Sequence, residues 1–569
     1  MTTNLKNRID VARGHKMADL VLRNGQLVNV FSGEIYRTDI AVYQGKIAGL
    51  GEYDAKQIVD VSGKFILPGF IDSHMHLESS MLTPAEFAKA ALPHGTIAVL
   101  NDPHELANVL GKKGLEYLLE ASERVPLDFY FMLPSCVPAT ALETSGARLT
   151  ASELVPFMKH ERVLGLAEMM NYPGVLAGDP EVLRKLERFS RTVIDGHAPG
   201  LFGRDLSAYI GAGITSDHEC ITADEAREKV RLGMTVFIRE GSAAKDLEAI
   251  LPAVTPSNSS CFCLATDDLQ PGDLKQGGID LVIKKAIELR LDPITAVRMA
   301  TINPARHFGL ERMGAVLPGY DANMVVIDDF KHMTIEQVYK NGKLIAENGS
   351  MLTRIRNFRH ADFGETVRIR PLKREQIIRK AETSLARVIE LIPDQIETRQ
   401  LVMPIKTKDG LVISDTERDI LKLLVIERHR ASGNIGFGLV KGFGLASGAI
   451  ASTVAHDSHN IIVVGVGDED ILIAVREIKK MRGGLIVVDK GKVIAALPLP
   501  VAGLISDKPL DVVAQSLSEL DQAAKHLGAG LKHPFSALSF LALPVVPVLK
   551  LTDKGLVDVN TFSFVDLFV

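Results

Sequence analysis

Between about residues 65 and 307 the chain alternates short apolar runs with helix-like stretches, and this limits the folds open to it more than any other feature. Eight runs read as strands: Phe65–Ile71, Ile97–Leu100, Phe129–Leu133, Val163–Ala167, Thr192–Asp195, Ile214–Ser216, Thr235–Ile238 and Phe262–Ala265. Strands that alternate with helices pair in parallel. Eight such units in about 240 residues fit a closed (β/α)8 barrel, which usually takes about 250. The expected fold class is therefore α/β, with a TIM-type barrel at its centre.

Hairpin-rich sequence flanks that region. Ala18–Val30 holds Asn24-Gly25 between apolar runs, Asp39–Leu50 repeats the pattern at Gln44-Gly45, and it returns after residue 314 with Asn341-Gly342. Each stretch is short for an independent sheet, so the two are expected to pair as one split β-sandwich. The expected domains are 1–64 and 308–365 for the sandwich, 65–307 for the barrel, and 366–569 for an additional C-terminal α/β domain. That last part is read as opening with a helical region, Arg374–Ile392, followed by Gly-rich strands. Its GFGLVKG and GFGLASG runs lack the spacing and strand–turn–helix context of a dinucleotide fingerprint, so turns and tight packing explain them better.

The chemistry concentrates in Gly69-Phe70-Ile71-Asp72-Ser73-His74-Met75-His76, at the end of the first apolar run. Residues i and i+2 of a strand point the same way, so His74 and His76 can grip one metal ion. Active sites of such barrels lie at the C-terminal ends of the strands. Further ends carry Glu168, His197, His218 and Asp267. Each alone could equally cap a helix; together they place four histidines and two carboxylates on one rim. Four cysteines occur, none in a C-x-x-C pair, so nitrogen and oxygen ligands are expected rather than thiolates.

With these motifs in hand, the chain resembles the amidohydrolase superfamily, and within it the bacterial adenine deaminases. The resemblance rests on GFIDSHMH, HMHLESSM (74–81), NDPHELANV (101–109), AEMMNYPGV (167–175), DGHAPG, SDHE, ATDD and RHRASGNIGFGLVKGFGL (428–445), and covers nearly the whole chain. It implies a binuclear divalent metal centre: His74, His76, Glu168 and Asp267 around one ion, His197 and His218 around the second, with Glu168 bridging. Relatives that bridge with a carboxylated lysine have it on strand four, where this chain has Glu168. Manganese or iron is expected in preference to zinc, since softness alone does not choose among them and thiolates are absent.

The activity so implied is hydrolysis of adenine to hypoxanthine and ammonia by a metal-bridged hydroxide attacking C6, in purine salvage. Asp267 would take the nucleophile's proton. Glu219, Asp268 and Glu105 are the candidates for the acid, and Glu78, Ser79, His104 and Glu240 for further acid–base work or contacts with the base. Another superfamily hydrolase, acting on a cyclic amide or N-acyl amine, is the main alternative; a metal-free scaffold is disfavoured by the complete ligand set. In the C-terminal part, Ala455-His456-Asp457-Ser458-His459-Asn460 reads as a polar capped turn. Metal binding there, or closure over the barrel mouth by this loop or by Arg428–Arg430, stays open.

The net charge of −5 disfavours nucleic acid as a partner, which needs basic surface. No apolar run reaches the roughly 18 residues of a membrane span, and MTTNLKNRID has no signal core. Small-molecule partners (adenine and water), a cytoplasmic location and a homo-oligomer, a dimer at the simplest, are expected.

Overall fold

A computed structural model describes residues 2–358, 363–393 and 395–569. Eight parallel strands form the barrel: β1 Phe70–Met75, β2 Thr96–Asn101, β3 Asp128–Leu133, β4 Val163–Met169, β5 Val193–Gly196, β6 Ser216–Asp217, β7 Thr235–Arg239 and β8 Phe262–Ala265. β1 to β5 pair in chain order, as do β6 to β8. Hydrogen bonds close the two seams. Thr215 N–H donates to Ile194 O at 2.9 Å on one side; on the other, Asp267 N–H donates to His74 O at 3.0 Å and His76 N–H to Asp267 O at 3.1 Å. The second seam thus binds the ends of β1 and β8, which carry the first and last expected ligands.

The expected first strand, Phe65–Ile71, is two strands. Phe65–Pro68 belongs to the flanking sheet, and β1 begins at Phe70. The break falls where proline removes a backbone donor and Gly69 passes the side chain of Ile97 so closely that a Cβ would sit 2.5 Å from it. Phe65–Pro68 pairs antiparallel with Met324–Ile327 and parallel with Ala18–Asn29, uniting sequence from both ends of the barrel in one nine-stranded sheet. Alternation sorts its faces. Ile66, Met324 and Val326 pack with Leu22 and Ile40 inside the sheet, whereas Leu67, Val325 and Ile327 pack against the barrel's helices.

The C-terminal part is built on an eight-stranded sheet. The expected helix over Arg374–Ile392 is not formed: only Arg374–Ile377 is helical, and Leu385–Leu391 is a strand. Its Ala386, Val388 and Ile389 are buried, and all seven residues pair with Thr398–Pro404, so tertiary pairing overrides a helix-compatible local sequence. One sheet face is covered by the helix Asp468–Lys480 through Ile471, Ala474, Val475 and Ile478. The other packs with Leu510–His526 and Pro534–Phe540 into an apolar cluster that continues through Leu82, Ala85 and Phe87 into the barrel. Gly436 is a packing glycine: a Cβ there would lie 1.9 Å from Thr552 O. Among the described residues no helix is long and apolar enough to cross a membrane.

Candidate metal centre at the barrel mouth

β1 is buried along its whole length, and its end presents His74 and His76 side by side, their rings 4.9 Å apart. Asp72 anchors this end: its carboxylate accepts from Thr266 N–H at 3.1 Å and Thr266 Oγ1 at 2.5 Å, fixing β1 to β8. His76 donates Nδ1–H to Asp102 O at 3.1 Å, which turns Nε2 towards the carboxylates. That Nε2 lies 3.2 Å from Asp267 Oδ1 and 3.4 Å from Glu168 Oε1. His74 Nε2 lies 3.3 Å from Asp267 Oδ1, and despite that distance it makes no aligned hydrogen bond.

Glu168 turns its second oxygen to the other histidine pair. Oε2 lies 2.6 Å from His197 Nδ1 and 3.1 Å from His218 Nε2, and those two nitrogens are only 3.3 Å apart. Two lone pairs at that separation need a proton or a cation between them. All six residues are buried. Such a set of nitrogen and carboxylate donors, with Glu168 facing both halves, fits two divalent cations and no thiolate is required. Without cations the carboxylates act on the histidines. Burial would lower His76, yet the hydrogen bond to Asp267 and the charge of Glu168 hold it well above its usual value. Burial would raise Glu168, but His218 and His197 keep it well below the carboxylate range.

The remaining expected residues divide by where their side chains go. Asp268 lines the cavity, accepts a hydrogen bond from Ser79 Oγ, and is pushed up by burial and by Asp267. Glu219 also lines it, 3.4 Å from His218 Nε2 and 3.5 Å from His197 Nδ1, and is paired with Arg239. His104 sits between Asp102 at 3.0 Å, Glu168 at 3.4 Å and Glu105 at 3.4 Å. Glu105 points away from this group of ligands toward His456 and His459. Glu78 is buried and accepts from Leu106 N–H at 2.9 Å. Glu240 is not brought to the cavity: it pairs with Lys285 Nζ at 2.6 Å, because along β7 and its extension neighbouring side chains alternate and Arg239 takes the inward place.

Arg239 and Asp102 are absent from the expectations above. Arg239 Nη1 lies 3.2 Å from Asp267 Oδ2 and also pairs with Glu219, while Asp246 holds the guanidinium at 3.1 Å. Position at the end of β7 was the available signal for Arg239, as NDPH after β2 was for Asp102. The third omission is the roof. Phe540, Leu543, Val546 and Ile396, all from the C-terminal part, close over the cavity, with Lys550 Nζ tying Ile396 O at 2.7 Å to Phe540 O at 3.0 Å.

Comparison with known proteins shows the family. A model of the amidohydrolase family matches residues 65–345, and one of the adenine deaminase C-terminal domain matches residues 395–563. The chain is 50% identical over 563 residues to adenine deaminase 2 of Carboxydothermus hydrogenoformans, covering 99% of each chain. It is 48% identical over 567 residues to an adenine deaminase of Dehalococcoides mccartyi, again covering 99% of each. A protein of the same name from Methanothrix thermoacetophila is 48% identical over 569 residues, covering 99% of this chain and 100% of that one.

Proposed function

Because this chain belongs to the adenine deaminase family of amidohydrolases, we propose that it hydrolyses adenine to hypoxanthine and ammonia as a metal-dependent enzyme. The observation that carries the reading is Glu168, whose two oxygens face two separate histidine pairs inside a roofed cavity at the barrel mouth. We place His74, His76 and Asp267 around one divalent ion and His197 and His218 around a second, with Glu168 shared; manganese or iron is favoured over zinc. Bound there, two such ions would polarise the substrate and bring the pKa of water from about 15.7 towards 7.

The protein's own groups divide the proton work. Water adds to C6 of adenine, and Asp267 takes the proton it sheds. Arg239 holds Asp267 in place through the oxygen that the histidines do not use. Asp268, half-buried beside it and held by Ser79, is positioned to give its proton to the ring nitrogen; the proton held by Asp267 then goes to the departing amino group, and the C6 hydroxyl returns a proton to Asp268 as the carbonyl forms. Glu219 is less suited to that task, since its carboxylate is already taken up by the guanidinium of Arg239. The apolar roof excludes bulk water, which strengthens each of these interactions. Purine salvage in the cytoplasm by a homo-oligomer is the corresponding reading of its role, and a solution mass that is a multiple of 61.8 kDa tests the assembly.

Protein loaded with manganese or iron is expected to release ammonia from adenine and shift the ultraviolet spectrum to that of hypoxanthine. Absence of turnover in both loaded forms would refute the adenine reading. Turnover of cyclic amides instead would move the chain to another activity of the superfamily.

A further inference from the structure

The loop 455–460 lies at the barrel mouth, 351 residues in sequence from the glutamate it meets. His456 Nδ1 pairs with Glu105, and His459 Nε2 pairs with the other oxygen of the same carboxylate. Asp457 lies 3.7 Å from His104. The loop itself is held from behind. The fully buried Arg428 donates to His459 O and to Ala502 O at 3.0 Å; His429 donates to Ser458 O at 2.7 Å; Asn460 donates to Thr144 O at 2.9 Å. Arg428 and His429 thus support the loop rather than the cavity.

A clamp between barrel and C-terminal part accounts for His459, which is buried at 1% exposure and ends on Glu105. It does not account for His456. That ring lines the cavity, and both of its degrees of freedom are fixed: Glu105 sets the direction of Nδ1, and stacking on Phe540, with centroids 4.5 Å apart and planes 13° apart, sets the plane. Nε2 has no hydrogen-bond partner among the described residues. Burial would lower its pKa, but Glu105 raises it to about 9, so both ring nitrogens carry hydrogen at neutral pH. A purine base offers ring nitrogens as acceptors and needs donors to match them.

We propose that His456 is a substrate-contacting residue of the deaminase site, its Nε2–H donating to a ring nitrogen of the base, with Glu105 and His459 as positioning residues. The C-terminal part is then a component of the active site rather than an appendage. This rests on the adenine deaminase reading above.

The test compares metal-loaded wild type, His456→Ala, His456→Gln and Asn460→Ala, the last of which loosens the loop without touching the cavity. His456→Ala is expected to keep wild-type metal content and unfolding temperature while KM for adenine rises at least tenfold. His456→Gln, which retains a donor, is expected to recover KM to within about threefold of wild type. If His456→Ala folds poorly, His456→Gln carries the test together with Asn460→Ala. The proposal is overturned if His456→Ala has unchanged kcat and KM, if Asn460→Ala raises KM as much as His456→Ala, or if glutamine rescues nothing. Wild type inactive on adenine would be a failure of the deaminase reading, whereas an active wild type with an indifferent His456→Ala would be a failure of this proposal alone.

Discussion

Arg239 and Asp267 meet at 3.2 Å through Oδ2, the carboxylate oxygen that points away from His74 and His76. One side chain is thereby divided between two sides, with Oδ1 towards the histidines of the proposed metal centre and Oδ2 on the guanidinium. Burial would raise the Asp267 carboxyl, but the neighbouring His74 and His76, and then the charge of Arg239, hold it well below the usual range. Arg239→Lys keeps the charge but not the fork that reaches Glu219, Asp267 and Asp246 together. It is expected to lower kcat about a hundredfold, at the low end of what a general base contributes, with metal content unchanged. With less stabilisation of the ionised form, the Asp267 pKa rises, so the acid limb of the kcat/KM profile moves to higher pH. A profile that does not move would show that Arg239 serves stability alone.

Glu168 faces both histidine pairs, one with each carboxylate oxygen. Glu168→Gln removes the negative charge while keeping the shape. Metal content after reloading should fall from two ions per chain to one or fewer, and adenine turnover should fall with it. Elemental analysis checks this, and full occupancy in the variant would refute the shared-ligand role.

Lys229 is fully buried, 2.8 Å from both Asp217 and Glu225 and 2.9 Å from Ala198 O. Asp217 in turn accepts the N–H groups of Ala198 at 2.8 Å and Glu219 at 3.0 Å, next to His197 and His218. Lys229→Met leaves two buried carboxylates without their cation and should cost about 3–5 kcal/mol of stability by denaturant titration. The pH dependence has a definite sign. Burial would raise Asp217, but Lys229 brings it down from 3.8 to about 2. A depressed carboxyl pKa stabilises the fold fully above the unfolded value and loses that contribution as pH falls through the folded value. The gap between wild type and variant should therefore be widest at neutral pH and narrow between about pH 4 and 2.

Gly196 ends β5 immediately before His197, and a Cβ there would lie 2.3 Å from Ser216 O on the neighbouring strand. Gly196→Ala must push β5 from β6 and displace His197 from Glu168. Loss of one bound ion together with a lowered unfolding temperature is expected. Wild-type metal content in this variant would show that the strands can part without moving the ligand.

Much of this centre was legible in the sequence because its information is local. The i, i+2 pair His74/His76, and the placement of Glu168, His197, His218 and Asp267 just at or after apolar runs, follow from strand periodicity and from the parallel topology that puts every strand end on one rim. Where two neighbours end one strand, local periodicity did not show which faces inward, and the expectation fell on Glu240. Arg239 and Glu240 are neighbours, and only the paired Lys285 on one side and Asp267 on the other show which faces inward. Pro68-Gly69 splits one apolar run between two sheets because each half has its own partner, and Leu385–Leu391 becomes a strand because Thr398–Pro404 is there to pair with it.

The sequence by itself thus determined the barrel and the family, and proposed the six candidate ligands. Tertiary structure alone decided how the cavity is roofed and that His456 reaches Glu105. The reason is physical: backbone periodicity is written into neighbouring residues, whereas a contact spanning 351 residues depends on how the barrel and the C-terminal sheet bury their apolar faces in one cluster.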